Sequence, residues 1–130
     1  VDLDFLHITV FGSMVDSEVT IFDRIVSGEI PCRKIYEDDL CISFHDINPV
    51  APVHALLVPK KRSGLTRLSK ATETHKEILG HLMTKVPVVA KLLDLDDFRI
   101  VINDGESSCQ TVFHLHIHIL GGRNFTWPPG

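Results

Sequence analysis

A chain of 130 residues with 44% hydrophobic and 23% charged side chains fits one folded domain and argues against disordered and low-complexity classes. Thirteen basic against seventeen acidic residues leave a net charge of -4, so neither a nucleic-acid coat nor a polybasic membrane binder is expected, and no apolar run reaches the roughly 18 residues of a membrane span. Cys32, Cys41 and Cys109 are too few, and odd in number, for a disulfide framework, which points to a reducing compartment.

Val1 to Phe11 is apolar and lacks the charged start of a secretory signal and the Arg-rich pattern of a transit peptide. Gly12-Ser13-Met14 reads as a cloning junction followed by a start methionine. Residues 1–14 are therefore either an appended leader or a genuine extension that adds an edge strand, and residues 15–130 form the single domain. Thr20-x-x-Asp23 has the form of a capping box, so a short helix is predicted over 21–27, ended by Gly28, with Ile21, Phe22 and Ile25 on its buried face. Strands follow at about 33–37 and 41–46, joined by the polar turn Glu37-Asp38-Asp39. Asn48-Pro49 and Ala51-Pro52 mark an extended connection. A third strand covers about 54–59, and the basic cluster Lys60-Lys61-Arg62 is expected to be solvated.

From about Lys70 to Leu93 the period is helical, with Leu79, Leu82, Val86, Val89 and Leu93 recurring at three or four residues. Pro87 lies inside this run, removes a donor and crowds the Met83 carbonyl, so a kink or break is expected there. Two strands close the chain, at about 98–102 and 112–120, with a turn-rich loop from Asn103 to Gln110 between them. There is no strand–helix alternation long enough for a doubly wound sheet. The pattern predicts an α+β meander with its helices on one side.

The last strand carries the chemistry. Val112-Phe113-His114-Leu115-His116-Ile117-His118-Ile119-Leu120 alternates throughout. Side chains alternate between the faces of a strand, so Phe113, Leu115, Ile117 and Ile119 would meet the helices, and His114, His116 and His118 would share the other face at intervals of about 6.6 Å. Packing alone does not call for three imidazoles there. One chemistry for such a row is metal binding, with His54 completing a cluster. Against it, His114 and His118 would stand about 13 Å apart, too far to converge easily. The other is nucleophilic catalysis, in which a neutral imidazole attacks phosphorus and splits one hard displacement into two easier ones. It needs one bare ring nitrogen and the other proton held against an acceptor. Crowded histidines disfavour one another's charging, and His116, flanked on both sides, is the natural attacker, with His114 and His118 donating to phosphate or relaying protons.

His114-Leu-His116-Ile-His118-Ile-Leu120 resembles the signature of the histidine triad (HIT) superfamily. Thr20-Ile-Phe22, Gly28-Glu-Ile-Pro31, Tyr36-Glu-Asp-Asp39, Phe44-His-Asp46, Ala51-Pro-Val-His54, Val58-Pro-Lys-Lys61, Leu79-Gly-His-Leu-Met83, Val101-Ile-Asn-Asp-Gly105, Gly121-Gly-Arg123 and Trp127-Pro-Pro-Gly130 resemble its Hint branch, the protein kinase C inhibitor-like proteins. The similarity covers about residues 18–130. It implies a HIT-like α+β fold: a five-stranded antiparallel sheet with a short N-terminal helix and one long helix, joined across a homodimer into ten strands.

The resemblance also implies a purine nucleoside phosphoramidase that cleaves the P–N bond of adenosine 5′-phosphoramidates and lysyl-AMP. In that scheme His116 attacks the α-phosphorus, the His114 carbonyl holds the far nitrogen of His116, His118 contacts phosphate and His54 bonds within the triad. Thr111 stands where many relatives carry serine, beside the leaving group. Asp46 accepts from ribose, while Ile21, Phe22, Phe44 and Leu56 sandwich the purine. Asn103 and the loop Gly105–Gln110 offer donors to the phosphate, and Cys109 replaces a small residue there. Trp127 reaches the neighbouring active site of the dimer. No metal or cofactor is implied, nor a membrane or nucleic-acid partner. The expected compartment is the cytoplasm, with the nucleus open. The alternative is a non-catalytic purine-nucleotide sensor or scaffold. A zinc protein is a third reading.

Overall fold

A computed structural model describes residues 18–130 of the protein. The leader or edge strand expected for residues 1–14 lies outside the described residues. The elements run in the expected order: α1 (Ile21–Val26), β1 (Lys34–Glu37), β2 (Cys41–His45), β3 (Val53–Pro59), α2 (Lys76–Leu92), β4 (Arg99–Val101) and β5 (Ile117–Gly121). The five strands form one antiparallel sheet, ordered β1-β2-β3-β5-β4. It is not a simple meander, because β5 lies between β3 and β4. The reason is burial. Ile117 and Ile119 of β5 are fully enclosed, whereas every residue of the short β4 keeps part of its surface open and suits an edge.

The helices do not share one side of the sheet. Ile42 and Phe44 of β2 and Leu56 and Val58 of β3 pack with Ile21, Phe22 and Ile25 of α1 on one face. Cys41, Ala55, Leu57, Ile117 and Ile119 pack with Leu82, Val86 and Val89 of α2 on the other. Strands buried on both faces cannot show clean apolar–polar alternation, and the runs Cys41–Phe44 and His54–Pro59 are continuously buried. That signal points to a two-sided sheet rather than a one-sided one.

The capping box forms as expected. The Thr20 hydroxyl accepts from the Asp23 N–H, and the Asp23 carboxylate accepts from the Thr20 N–H at 2.8 Å. Gly28 takes φ +82 just past the helix end. The long helix begins later than predicted, at Lys76, after single 3-10 turns at Leu68–Lys70 and Glu73–His75. It also runs unbroken through Pro87. Pro87 is on the exposed side of the helix, as is Met83 one turn earlier, so the carbonyl deprived of its N–H partner faces water. Among the described residues no helix is long and apolar enough to cross a membrane.

Candidate active site

The face covered by α1 carries the histidines. On β3, His54 and Leu56 point this way, and His118 of β5 is directly opposite Leu56. The predicted strand 112–120 is shorter than expected, since only Ile117–Gly121 is β5. The preceding segment is pulled out of the ladder by other partners. The Leu115 N–H donates to the Leu65 carbonyl at 3.0 Å, and Arg62 donates to the Phe113 carbonyl at 3.2 Å. Pro59 has no N–H to extend the pairing, and its own carbonyl accepts from His114 Nε2 at 2.7 Å.

The three motif histidines therefore do not form one row. The His116 and His118 ring centroids are 5.0 Å apart, and those of His54 and His118 5.1 Å. The His114 ring is separate. Phe22 packs edge-on against both His114 and His116, at 5.8 and 5.0 Å. Phe22 thus backs the cluster from within the core rather than facing a purine.

Hydrogen bonds set the tautomers. The Val50 N–H donates to His54 Nδ1 at 3.1 Å, so His54 carries its proton on Nε2. That Nε2–H donates to His118 Nδ1 at 2.9 Å, with the Asp46 carboxylate also 3.3 Å away. His118 consequently keeps its proton on Nε2, an atom that is buried without a partner among the described residues. His116 donates from Nδ1 to the His114 carbonyl at 2.8 Å, leaving the lone pair on Nε2. Burial pushes His116 down to about 4, helped by the nearby His114 and His54 and opposed by the bond to the His114 carbonyl. Burial, then His116 and His54, pushes His118 down to about 4 against the pull of Asp46. His54 is lowered too, chiefly by burial. At neutral pH the cluster holds a bare nitrogen on His116 beside an N–H donor on His118.

A cavity of about 380 Å³ opens on this face. Ile21, Phe44 and Leu56 line it with apolar surface, and Asp46 stands in its wall. The Asp46 N–H donates to the His54 carbonyl at 3.0 Å, one step past β2, which brings its carboxylate from the cavity to the histidines. Ile25, Ile30, Cys32 and Arg33 also line the cavity and were not anticipated. Ile25 was legible as the next apolar position on the buried stripe of α1, but Cys32 and Arg33 carried no signal.

The loop expected to cradle phosphate is largely occupied with itself. The N–H groups of Ser108 and Gln110 bond to the Gly105 carbonyl, and that of Cys109 to Glu106. The Gln110 side chain is buried. It accepts from the Gly105 N–H at 2.8 Å and donates to the Thr66 and Val112 carbonyls. Gln110 is thus an internal brace, not a presented donor. Gly105 has φ +96, and a Cβ there would meet the Arg67 guanidinium at 2.5 Å. Asn103 Nδ2 is 3.5 Å from the Cys109 carbonyl, and Cys109, in the left-handed region, exposes its thiol. Thr111 is exposed beside the motif, and Trp127 is 81% exposed on the tail.

Among the described residues, two groups of three side chains bring ligand-type atoms within 4.8 Å of one another: Asp46, His54 and His118, and Asp38, Cys41 and His81. Neither fits a metal as folded. His54 Nδ1 is taken by Val50, so a metal on Nε2 would have to displace the only ring proton. Both Asp38 oxygens are engaged by donors from Tyr36, Leu40, Cys41 and His81, and burial together with Asp38 pushes the Cys41 thiol up to about 12.

Comparison with known proteins agrees with the geometry. The family model described as HIT domain matches residues 27–125. A maize protein named 14 kDa zinc-binding protein is 54% identical over 117 residues, covering 89% of this chain and 91% of its own. An Arabidopsis thaliana protein named adenylylsulfatase HINT1 is 55% identical over 112 residues, covering 85% and 76%. Among solved structures, a HIT family hydrolase from Legionella pneumophila superposes with a TM-score of 0.80 at 36% identity, covering 85% of this chain and 98% of its own. The tautomer-locked histidines and these matches lead to one conclusion: the chain belongs to the histidine triad, or HIT, family.

Proposed function

We propose that the protein is a nucleotide hydrolase that cleaves the P–N bond of purine nucleoside 5′-phosphoramidates, such as lysyl-AMP, through a covalent intermediate on His116. The observation that carries this reading is the His116 Nδ1–H bond to the His114 carbonyl, which leaves Nε2 bare and neutral at pH 7. In the first step the Nε2 lone pair forms a bond to the α-phosphorus, the P–N bond breaks, and the amine leaves with a proton drawn from solvent or from the donor side of the cluster. His118 Nε2–H donates to a phosphoryl oxygen as charge develops there. Water then attacks phosphorus and loses a proton to solvent, the bond to His116 breaks with its electron pair returning to Nε2, and nucleoside monophosphate is released. His114 does not relay protons in this scheme, because its ring is bonded to Pro59 on the far side of Phe22. The apolar cavity takes the purine, and Asp46 takes the ribose hydroxyls. In this reading Thr111, Cys109 and Asn103 would border the leaving-group side, joined by Trp127 from the second copy of the dimer.

The Arabidopsis relative's name favours a second leaving group, sulfate, on the same adenylyl centre. The zinc in the maize relative's name is not carried over, since the ligand-type groups here do not fit it without giving up the bond from Val50. A homodimer is part of the proposal, supported by the exposed apolar side chains Met83, Val88 and Leu92 along α2.

The test is release of AMP from an adenosine 5′-phosphoramidate and from adenosine 5′-phosphosulfate by wild type and His116→Ala. The reading predicts preference for the phosphoramidate and a loss of roughly three orders of magnitude or more in the variant, with AMP binding retained. Preference for the phosphosulfate selects the second leaving group. AMP binding without turnover of either selects the sensor.

A further inference from the structure

One motif histidine has no part in the chemistry just proposed. His114 is 0% exposed. Its Nε2 lies 2.7 Å from the Pro59 carbonyl oxygen, and a carbonyl only accepts, so Nε2 carries a proton. Among the described residues its Nδ1 has no hydrogen-bond partner, and it faces the Asp23 carboxylate, whose Oδ1 is 3.4 Å away. A carboxylate also only accepts. A neutral ring would therefore aim a lone pair at a negative charge inside the fold. A second proton turns that repulsion into an ion pair.

We propose that His114 is a buried imidazolium paired with Asp23, and that Asp23 is thereby a positioning residue that keeps His116 neutral. The carboxylate is well prepared. Its Oδ2 accepts from the Thr20 N–H at 2.8 Å and lies 3.3 Å from Arg62 Nη2, while Oδ1 is left for His114. Burial would raise the Asp23 carboxyl, but His114, Thr20 and Arg62 together hold it down at about 2. One side chain thus serves both the cap of α1 and the charge of the motif. Among the described residues Asp23 of α1 is the charged group facing the His114 ring, and Arg62, in the loop after β3, reaches the far oxygen of that carboxylate. Its titratable neighbour His116 is separated from it by one residue and touches the same face of the core through Phe22. His118 lies beside His116 with ring centroids 5.0 Å apart, and His54 and Asp46 lie against His118.

The consequence follows from charge. A fixed cation disfavours a second one nearby, and His116 is tied to the His114 carbonyl itself at 2.8 Å. The positive ring adds to burial in keeping the attacking nitrogen unprotonated. Its value to turnover rests on the proposed role of His116 as nucleophile, whereas the charge state of His114 can be read without substrate.

The experiment is ring ¹⁵N NMR of histidine-labelled protein. In wild type, both His114 nitrogens should show protonated-type shifts at pH 7, and His116 should titrate near pH 4. In Asp23→Asn, His114 Nδ1 should lose its proton and the His116 midpoint should rise by roughly half a pH unit or more. Asp23→Glu should restore both. Thr20→Val removes the cap hydroxyl but keeps the carboxylate, so it should weaken α1 and leave both signals in place. The acid limb of kcat/KM should move up with the His116 midpoint in Asp23→Asn. A wild-type His114 with a bare Nδ1 overturns the proposal, whether or not the variants fold, and so does an unmoved His116 midpoint in folded Asp23→Asn. Absence of turnover with intact NMR behaviour would instead count against the phosphoramidase reading alone.

Discussion

Three atoms that touch no substrate decide what the histidines can do. The Val50 N–H fixes His54, His54 fixes His118, and the His114 carbonyl fixes His116. Each bond selects a tautomer, and together they leave a bare nitrogen on one ring and, on the neighbouring ring, an N–H without a partner among the described residues. The same burial that enforces this arrangement lowers His116 to about 4, which sets its working range. Protonated His116 has no lone pair on Nε2, so activity should be lost as pH falls through that value and retained above it. We therefore expect kcat/KM for a phosphoramidate to hold between pH 7 and pH 5 and to fall about tenfold per unit below pH 4. A fall beginning near pH 6.5, the ordinary histidine value, would mean that His116 is not shielded.

Helices and strands supply the frame, and Pro87 shows how far sequence rules reach. A proline inside a helical period predicts a break, yet α2 is continuous because the unpaired carbonyl lies on the exposed side. Pro87→Ala should restore one backbone donor and stabilise the protein by about 1 kcal/mol, less than the full interior penalty because proline also restricts the unfolded chain. Urea denaturation would show this, and an unchanged or lower midpoint would contradict it. The capping box at Thr20 and Asp23, the short helix, the order of elements and the period of α2 were all legible, since each depends on neighbours within a few residues. The inserted position of β5, the split of the helices between two faces and the end of β5 at Ile117 were not. Those depend on distant partners: Leu65 and Arg62 draw residues 113–115 out of the ladder. The histidine motif was legible as chemistry, but the strand period misplaced the His114 ring. Its partners, Asp23 and Pro59, lie 91 and 55 residues earlier.

At the scale of the molecule, two cores divide the labour. The core against α2 shares no residue with the cavity lining, while the core against α1 is continuous with the cavity and the histidines. Met83, Val88 and Leu92 leave apolar surface on the outer side of α2, and Trp127 is exposed on the tail. A second copy pairing along α2 would cover the helix surface. Met83→Glu should shift sedimentation from dimer toward monomer, and a wild-type protein that sediments as a monomer at micromolar concentration would remove the dimer from the account.

The central claim is that phosphorus passes through a bond to His116. Rapid mixing of excess enzyme with an adenosine 5′-phosphoramidate, quenching in base and peptide mass spectrometry tests it most directly. The account predicts an adenylyl group on the peptide carrying His116 that forms and decays at rates consistent with turnover. Undiminished turnover by His116→Ala, with no adenylylated histidine at any time point in wild type, would contradict it.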